Sequence, residues 1–181
     1  MAQGVLIMKT SDFDNISMNG RMAYAILCIE KFLITKYPKE DWTELSKIMW
    51  GATSMYWDEW DDKFIEIIPQ FLFEFKTYEE AAFEVITEEE YNSFVALLKD
   101  KSAIVNQLLM KLQGLHEVYC YSYIPGTGKD ASNIVLDVCA ILEQAGIALP
   151  DINAVTFSRF SEKDGWGNDF AGEPLSLVLS K

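Results

Sequence analysis

Apolar residues recur at three- and four-residue steps through most of this chain, the spacing of one face of an α-helix. Met22, Ala25, Ile26, Ile29, Phe32 and Leu33 predict a first helix over about 18–36 that stops ahead of Pro38. Trp42-Thr43 leads into a second, with Leu45, Ile48, Met49 and Ala52 on one face. A third covers roughly 57–68, where Trp57, Trp60, Phe64 and Ile67 align; Pro69 ends or kinks it, because proline lacks an amide donor and clashes with the preceding turn.

Thr77-x-x-Glu80 and Thr87-x-x-Glu90 are capping-box patterns, in which a threonine and a glutamate satisfy open backbone donors at a helix start. The second introduces the amphipathic face Tyr91, Phe94, Leu97 and Leu98. Ile104, Leu108, Leu109, Leu112, Leu115 and Tyr119 predict a long helix over about 102–120. Ile134, Val135, Val138, Ile141, Leu142 and Ala145 predict another, capped near Asp130 and stopped at Gly146 with Pro150 beyond. From 151 the character changes: TFSRFSEKDGWGNDF reads as an ordered loop segment, pinned onto the body by Phe157, Phe160, Trp166 and Phe170. LSLVL (175–179) fits a short strand or a last helical turn. The expectation is an all-α, single-domain bundle of six or seven helices over 1–181, with 1–8 a flexible or non-native leader and 151–181 a loop-rich segment packed on the bundle.

Composition fits a folded domain, since half of the 181 residues are apolar. No uncharged apolar run is long enough to predict a transmembrane helix, and the N-terminus lacks a secretory pattern. Cys28, Cys120 and Cys139 are odd in number and widely spaced, which suits buried thiols in a reducing, cytoplasmic compartment. Charge changes the picture more. Residues 40–100 hold 16 acids and 4 bases, which accounts for 12 of the 13 net negative charges. Such a field repels nucleic acid and anionic lipid and speeds encounter with basic partners. Nucleic-acid binding is therefore excluded, there being no basic stripe to neutralise phosphates.

Candidate chemistry is sparse, and neither catalytic residues nor a cofactor are expected. IPGTGKD (124–130) lacks the earlier glycine of a P-loop and has Asp130 where the magnesium-binding hydroxyl belongs, so it reads as an interhelical turn. His116 and Cys120 share a helix face, but two ligands do not make a zinc site. Their surroundings, EVYCYSYI, read as buried and hence as unsuited to an activated thiol. Asp58, Asp62 and Glu66 form a one-turn ladder that could hold magnesium, yet the EF-hand pattern is absent and one histidine cannot supply a di-iron bundle.

Two readings of Asp58-Glu59-Trp60-Asp61-Asp62 remain. Acids in a first helical turn oppose the helix dipole and need no function. That accounts for a few of them, but not for twelve acids against two lysines across 58–90. Trp42, Trp50, Trp57, Trp60 and Tyr56 are also too many for helices this short to point all of them inward. Exposed aromatics ringed by carboxylates compose an anchor for a basic partner. The partner-binding set expected on this ground is Tyr56, Trp57, Asp58, Glu59, Trp60, Asp61, Asp62 and Glu66, with Asp61 and Asp62 accepting charge reversal without loss of stability.

SMNGRMAYAILCIEKFL (17–33) and FSRFSEKDGWGNDF (157–170) together resemble small, acidic, all-helical immunity proteins of bacterial polymorphic-toxin systems, over about 30 of 181 residues. The resemblance implies a cytoplasmic, non-enzymatic antidote that binds a cognate toxin domain, often a nuclease with a basic cleft, and blocks it. It carries over no individual residue. The competing expectations are a magnesium-dependent helical hydrolase using the 58–66 carboxylates and a helical adaptor whose acids only solubilise it.

Overall fold

A computed structural model describes residues 8–55 and 57–180, and among them it is an all-α bundle without a strand. The helices are α1 (Met18–Lys36), α2 (Thr43–Gly51), α3 (Trp57–Ile67), α4 (Pro69–Leu72), α5 (Tyr78–Ala81), α6 (Glu88–Leu98), α7 (Ala103–Glu117) and α8 (Lys129–Gln144). Short 3-10 turns make up much of the segment beyond 151. The described helices number eight, more than expected, because two four-residue turns, α4 and α5, stand as helices of their own. Pro69 occupies the first turn of α4, where its missing N–H costs nothing. The expected leader, 1–8, lies outside the described residues except for Met8, which packs against the core.

Helix α1 runs through the centre and packs against α2, α7 and α8. Of its 19 residues 14 are buried, so it is apolar almost all round, as a central helix must be. Two of the buried residues carry charge. Arg21 donates to the carbonyls of Phe13 (2.9 Å), Thr127 (2.6 Å) and Gly128 (2.7 Å), and its guanidinium lies 5.3 Å from the centre of the Phe160 ring. The PGTG turn is thus gripped by a buried arginine, with Gly126 and Gly128 at positive φ. Burial pulls the Arg21 pKa down to about 10, which leaves it charged at neutral pH.

Nine residues further along α1, Glu30 accepts from the Trp50 indole (2.9 Å), the Ser176 hydroxyl (2.6 Å) and the Leu177 amide (2.7 Å). A carboxylate with three donors can remain in a core that would otherwise exclude it. LSLVL is accordingly neither strand nor helix: Ser176 and Leu177 are drawn inward, and the chain turns around them.

The C-terminal segment also closes the start of α1. Ser17 donates its amide to Ser158 O (3.0 Å), its hydroxyl meets that of Ser158 (2.6 Å), and Asn19 N donates to Trp166 O (3.0 Å). A Cβ on Gly167 would collide with Ser17, so only glycine lets the loop approach this closely. Phe160, Trp166 and Phe170 are half-buried as expected, whereas Phe157 is exposed and meets Phe170 edge-on at 4.9 Å.

Of the five aromatics expected to be too many to bury, three have described side chains, and those three are inside. Trp42, Trp50 and Trp60 are all buried, and each indole N–H finds an internal acceptor in Tyr37 O, Glu30 Oε1 or Ile48 O. The C-terminal segment supplies the missing cover, with Gly172 lying so close to the Trp50 ring that a Cβ there would collide with it.

Replacing Glu30 by Ala strands two buried donors and should lower stability by about 3 kcal/mol, a fall in Tm of roughly 6–12 °C. Hydrogen exchange at Leu177 should accelerate in step, and unchanged protection there would contradict the anchoring role given to Glu30.

Candidate functional site

Helix α3 begins with the acidic stretch, and its residues divide by their angle around the axis. Asp58, Glu59 and Asp62 are exposed. Trp60 points inward, stacking on Phe64 (4.6 Å between ring centres) and meeting the His116 ring at a tilt (4.4 Å). It therefore cannot anchor a partner, which corrects the role expected of it. Tyr56 and the Trp57 side chain lie outside the described residues.

Glu66 is corrected too. Its two carboxylate oxygens accept the amides of Glu84 (2.7 Å), Val85 (3.1 Å) and Ile86 (2.8 Å), clamping the loop between α5 and α6. It is spent on structure, and the magnesium ladder loses its third carboxylate. Among the described residues, no three or more His, Cys, Asp or Glu side chains are grouped so as to hold a metal ion.

Asp61 is half-buried against α7, with His116 Nδ1 3.7 Å from its carboxylate. Burial holds the His116 pKa down at about 3, so the imidazole is neutral at pH 7 and the contact is not an ion pair. Burial, reinforced by the charges of Glu117, Asp62 and Asp58, raises the Asp61 pKa to about 6, against a smaller opposing bond from Gln113. Asp61 is a strained carboxylate wedged between helices, not a free surface charge, and lysine there would not be harmless.

The charges of Asp58 and Asp61 reach another residue that the sequence reading passed over. Helix α7 ends at Glu117, earlier than expected, and Tyr121 takes a left-handed backbone (φ 58°) that swings the chain outward. Tyr121 is 91% exposed and Tyr123 83% exposed, while Tyr119 stays in the core. EVYCYSYI is therefore not the buried strip that its apolar content suggested. Asp58 raises the Tyr121 pKa more than any other neighbour does, and Glu117 acts on Cys120 in the same sense. Cys120 is half-buried, with a thiol pushed up by burial first, so it is no activated nucleophile. Asp58, Asp61, Glu117 and Tyr121 thus form one acidic patch drawn from α3 and from the end of α7. The alternating tyrosines just before a Pro-Gly turn were the available signal.

Much of the remaining acidity has local employment. Glu79 and Glu80 occupy the first turn of α5, and Glu88, Glu89 and Glu90 that of α6. Glu90 closes a full capping box with Thr87 and pairs with Lys63 at 2.7 Å. At Thr77 only half of the box forms: its hydroxyl accepts from Glu80 N, but the Glu80 carboxylate takes the Lys76 amide. Comparisons with protein-family models, curated proteins and solved structures found no match.

The two inward groups act oppositely on stability. Asp61, raised to about 6 in the fold from a usual 3.8, destabilises the fold fully above pH 6, and the penalty is relieved as pH falls toward 3.8. His116, lowered to about 3 from 6.5, costs stability as pH falls below 6.5, because only the unfolded chain gains the proton. Asp61→Asn should therefore raise stability at pH 8 by about 1 kcal/mol, after allowance for solvent screening of a half-exposed group, or about 2–4 °C in Tm. The gain should vanish by pH 4, and thermal melts across pH 4–8 would check this.

Proposed function

We propose that the protein is a non-enzymatic antidote: it binds a basic partner, in the first instance a toxin domain, through the acidic patch of α3 and the end of α7, and blocks it in the cytoplasm. The observation that carries the reading is that the charges of Asp58 and Asp61 act on the outward-turned Tyr121, while Glu117 at the end of α7 acts on Asp61. A tyrosine in a left-handed backbone, almost wholly in water, gains nothing from the core. Tyrosine among carboxylates is apt for binding a cationic surface, since the ring supplies contact area and the acids supply steering. The likeness of 17–33 and 157–170 to immunity proteins supports the same reading, and these two stretches pack on one another at the start of α1.

The contact set is Asp58, Glu59 and Asp62 with Tyr121 and Tyr123; Trp60 and Glu66 leave it, and Asp61 supports it from beneath. Neither nucleic acid nor a membrane suits so acidic a surface, and among the described residues no helix is long and apolar enough to cross a bilayer.

Co-expression with the product of the open reading frame immediately upstream is the direct test. That product should arrest growth alone and be neutralised by this protein; a harmless product would remove the antidote reading and favour an adaptor. Given a toxic partner, the Asp58→Lys, Glu59→Lys, Asp62→Lys triple variant should slow association roughly 10- to 100-fold at low salt, with Tm within about 2 °C of the parent. Unchanged association kinetics would move the interface elsewhere.

A further inference from the structure

Between α1, the exit of α2, α7 and the C-terminal segment lies a half-open cavity of about 260 Å3 that the acidic patch does not use; among the described residues none of Asp58, Glu59 and Asp62 lines it. Its walls are Met18 and Met22 from α1, Met55 beyond α2, Leu115 and His116 from α7, and Trp166 from the C-terminal segment. The exposed Lys163–Asp169 ion pair (3.4 Å) stands at its solvent edge.

The cavity is held open by the backbone. Asn19 N donates to Trp166 O (3.0 Å), Phe170 N to Thr53 O (3.0 Å), and the Thr53 hydroxyl to Phe170 O (2.9 Å). These bonds fix the C-terminal segment at a set distance from α1 and from the exit of α2, so the walls do not close by side-chain relaxation alone. Side chains lining such a recess lack dispersion partners on their open side, and an apolar occupant would supply them.

The chemistry of the walls selects that occupant. Three thioethers, a leucine and an indole make a soft, polarizable lining, and methionine sulfur makes favourable contacts with aromatic rings. The imidazole is neutral at pH 7 and Lys163 and Asp169 pair with each other, so among the described residues no unpaired charge in the lining would compensate a charged guest. In scale, a cavity of about 150 Å3 holds a benzene molecule, so 260 Å3 suits two fused rings.

We propose that this cavity is a binding site for a small neutral aromatic compound of about two rings, taken up from solution. The site is separate from the docking surface, and either can fail without the other.

Indole is the probe. With the methionine methyls labelled with carbon-13 in the intact protein, indole titration should shift Met18, Met22 and Met55 saturably, with sub-millimolar affinity. Met49 and Met110, which do not line the cavity, should stay still. Tryptamine and indole-3-acetate, the charged counterparts, should bind at least tenfold more weakly. Met55 is 47% exposed, so Met55→Trp should fill the mouth without unfolding the protein and abolish the response. The proposal is overturned if indole gives no saturable shift, if all five methyls move alike, if the charged analogues bind equally well, or if folded Met55→Trp retains the parent affinity.

Discussion

Helix α1 carries a guanidinium and a carboxylate into a core with no counter-ion directly against either, and the arrangement of the loops answers that demand. A buried charge is tolerated only where hydrogen bonds replace the water it has lost. Arg21 obtains its replacement from three backbone carbonyls, two of them in the α7–α8 turn, and Glu30 obtains its own from Trp50 and the chain near 176. Phe13 and Trp50 are near in sequence, but the other partners in both sets lie more than a hundred residues away. The helices could pack on apolar contacts alone, but the irregular third of the molecule is positioned by these two side chains and by the Ser17–Ser158 contact.

The same ordering of the C-terminal segment has consequences at a distance. By covering Trp50 it frees α2 from presenting an aromatic surface, and by bonding to Thr53 and Asn19 it leaves the methionine-lined cavity standing. Covering the tryptophans also reduces what the acidic stretch can use for contact. The aromatic component of the patch comes instead from Tyr121, delivered by a backbone turn and not by a helix face.

Helical periodicity made the bundle legible: the bounds of α1, α2, α3, α6 and α8 fall within a few residues of those read from apolar spacing. Proline and glycine chemistry marked the ends, and Gly146, at φ 71°, stops α8 as expected. What the spacing did not contain was the destination of polar atoms. Nothing local to Arg21 or Glu30 says that they are buried, since both would suit the solvated side of an amphipathic helix; they are inside because α1 is covered on every side. The tryptophans were misread for the related reason that the cover over α2 comes from residues some 120 positions later in the chain.

The acidic surplus was legible as a number but not as a pattern of use. A count of carboxylates treats Glu66, Glu90 and Asp62 alike. In the structure, the first satisfies backbone amides, the second closes a helix cap and an ion pair, and the third faces water. Subtracting the acids at the starts of α5 and α6 and the Glu66 clamp leaves a smaller patch than the composition suggested, in which Asp58 and Glu59 also serve the first turn of α3. The residual charge is concentrated where two helices bring Asp58, Asp61 and Glu117 together, and after burial, the larger cause, their repulsion adds to the raised pKa of Asp61. An acid patch made only for solubility would be expected to spread its charges apart, because repulsion between neighbours buys nothing. On the proposed function, crowding against an outward-turned tyrosine is relieved when a cationic surface comes to meet it.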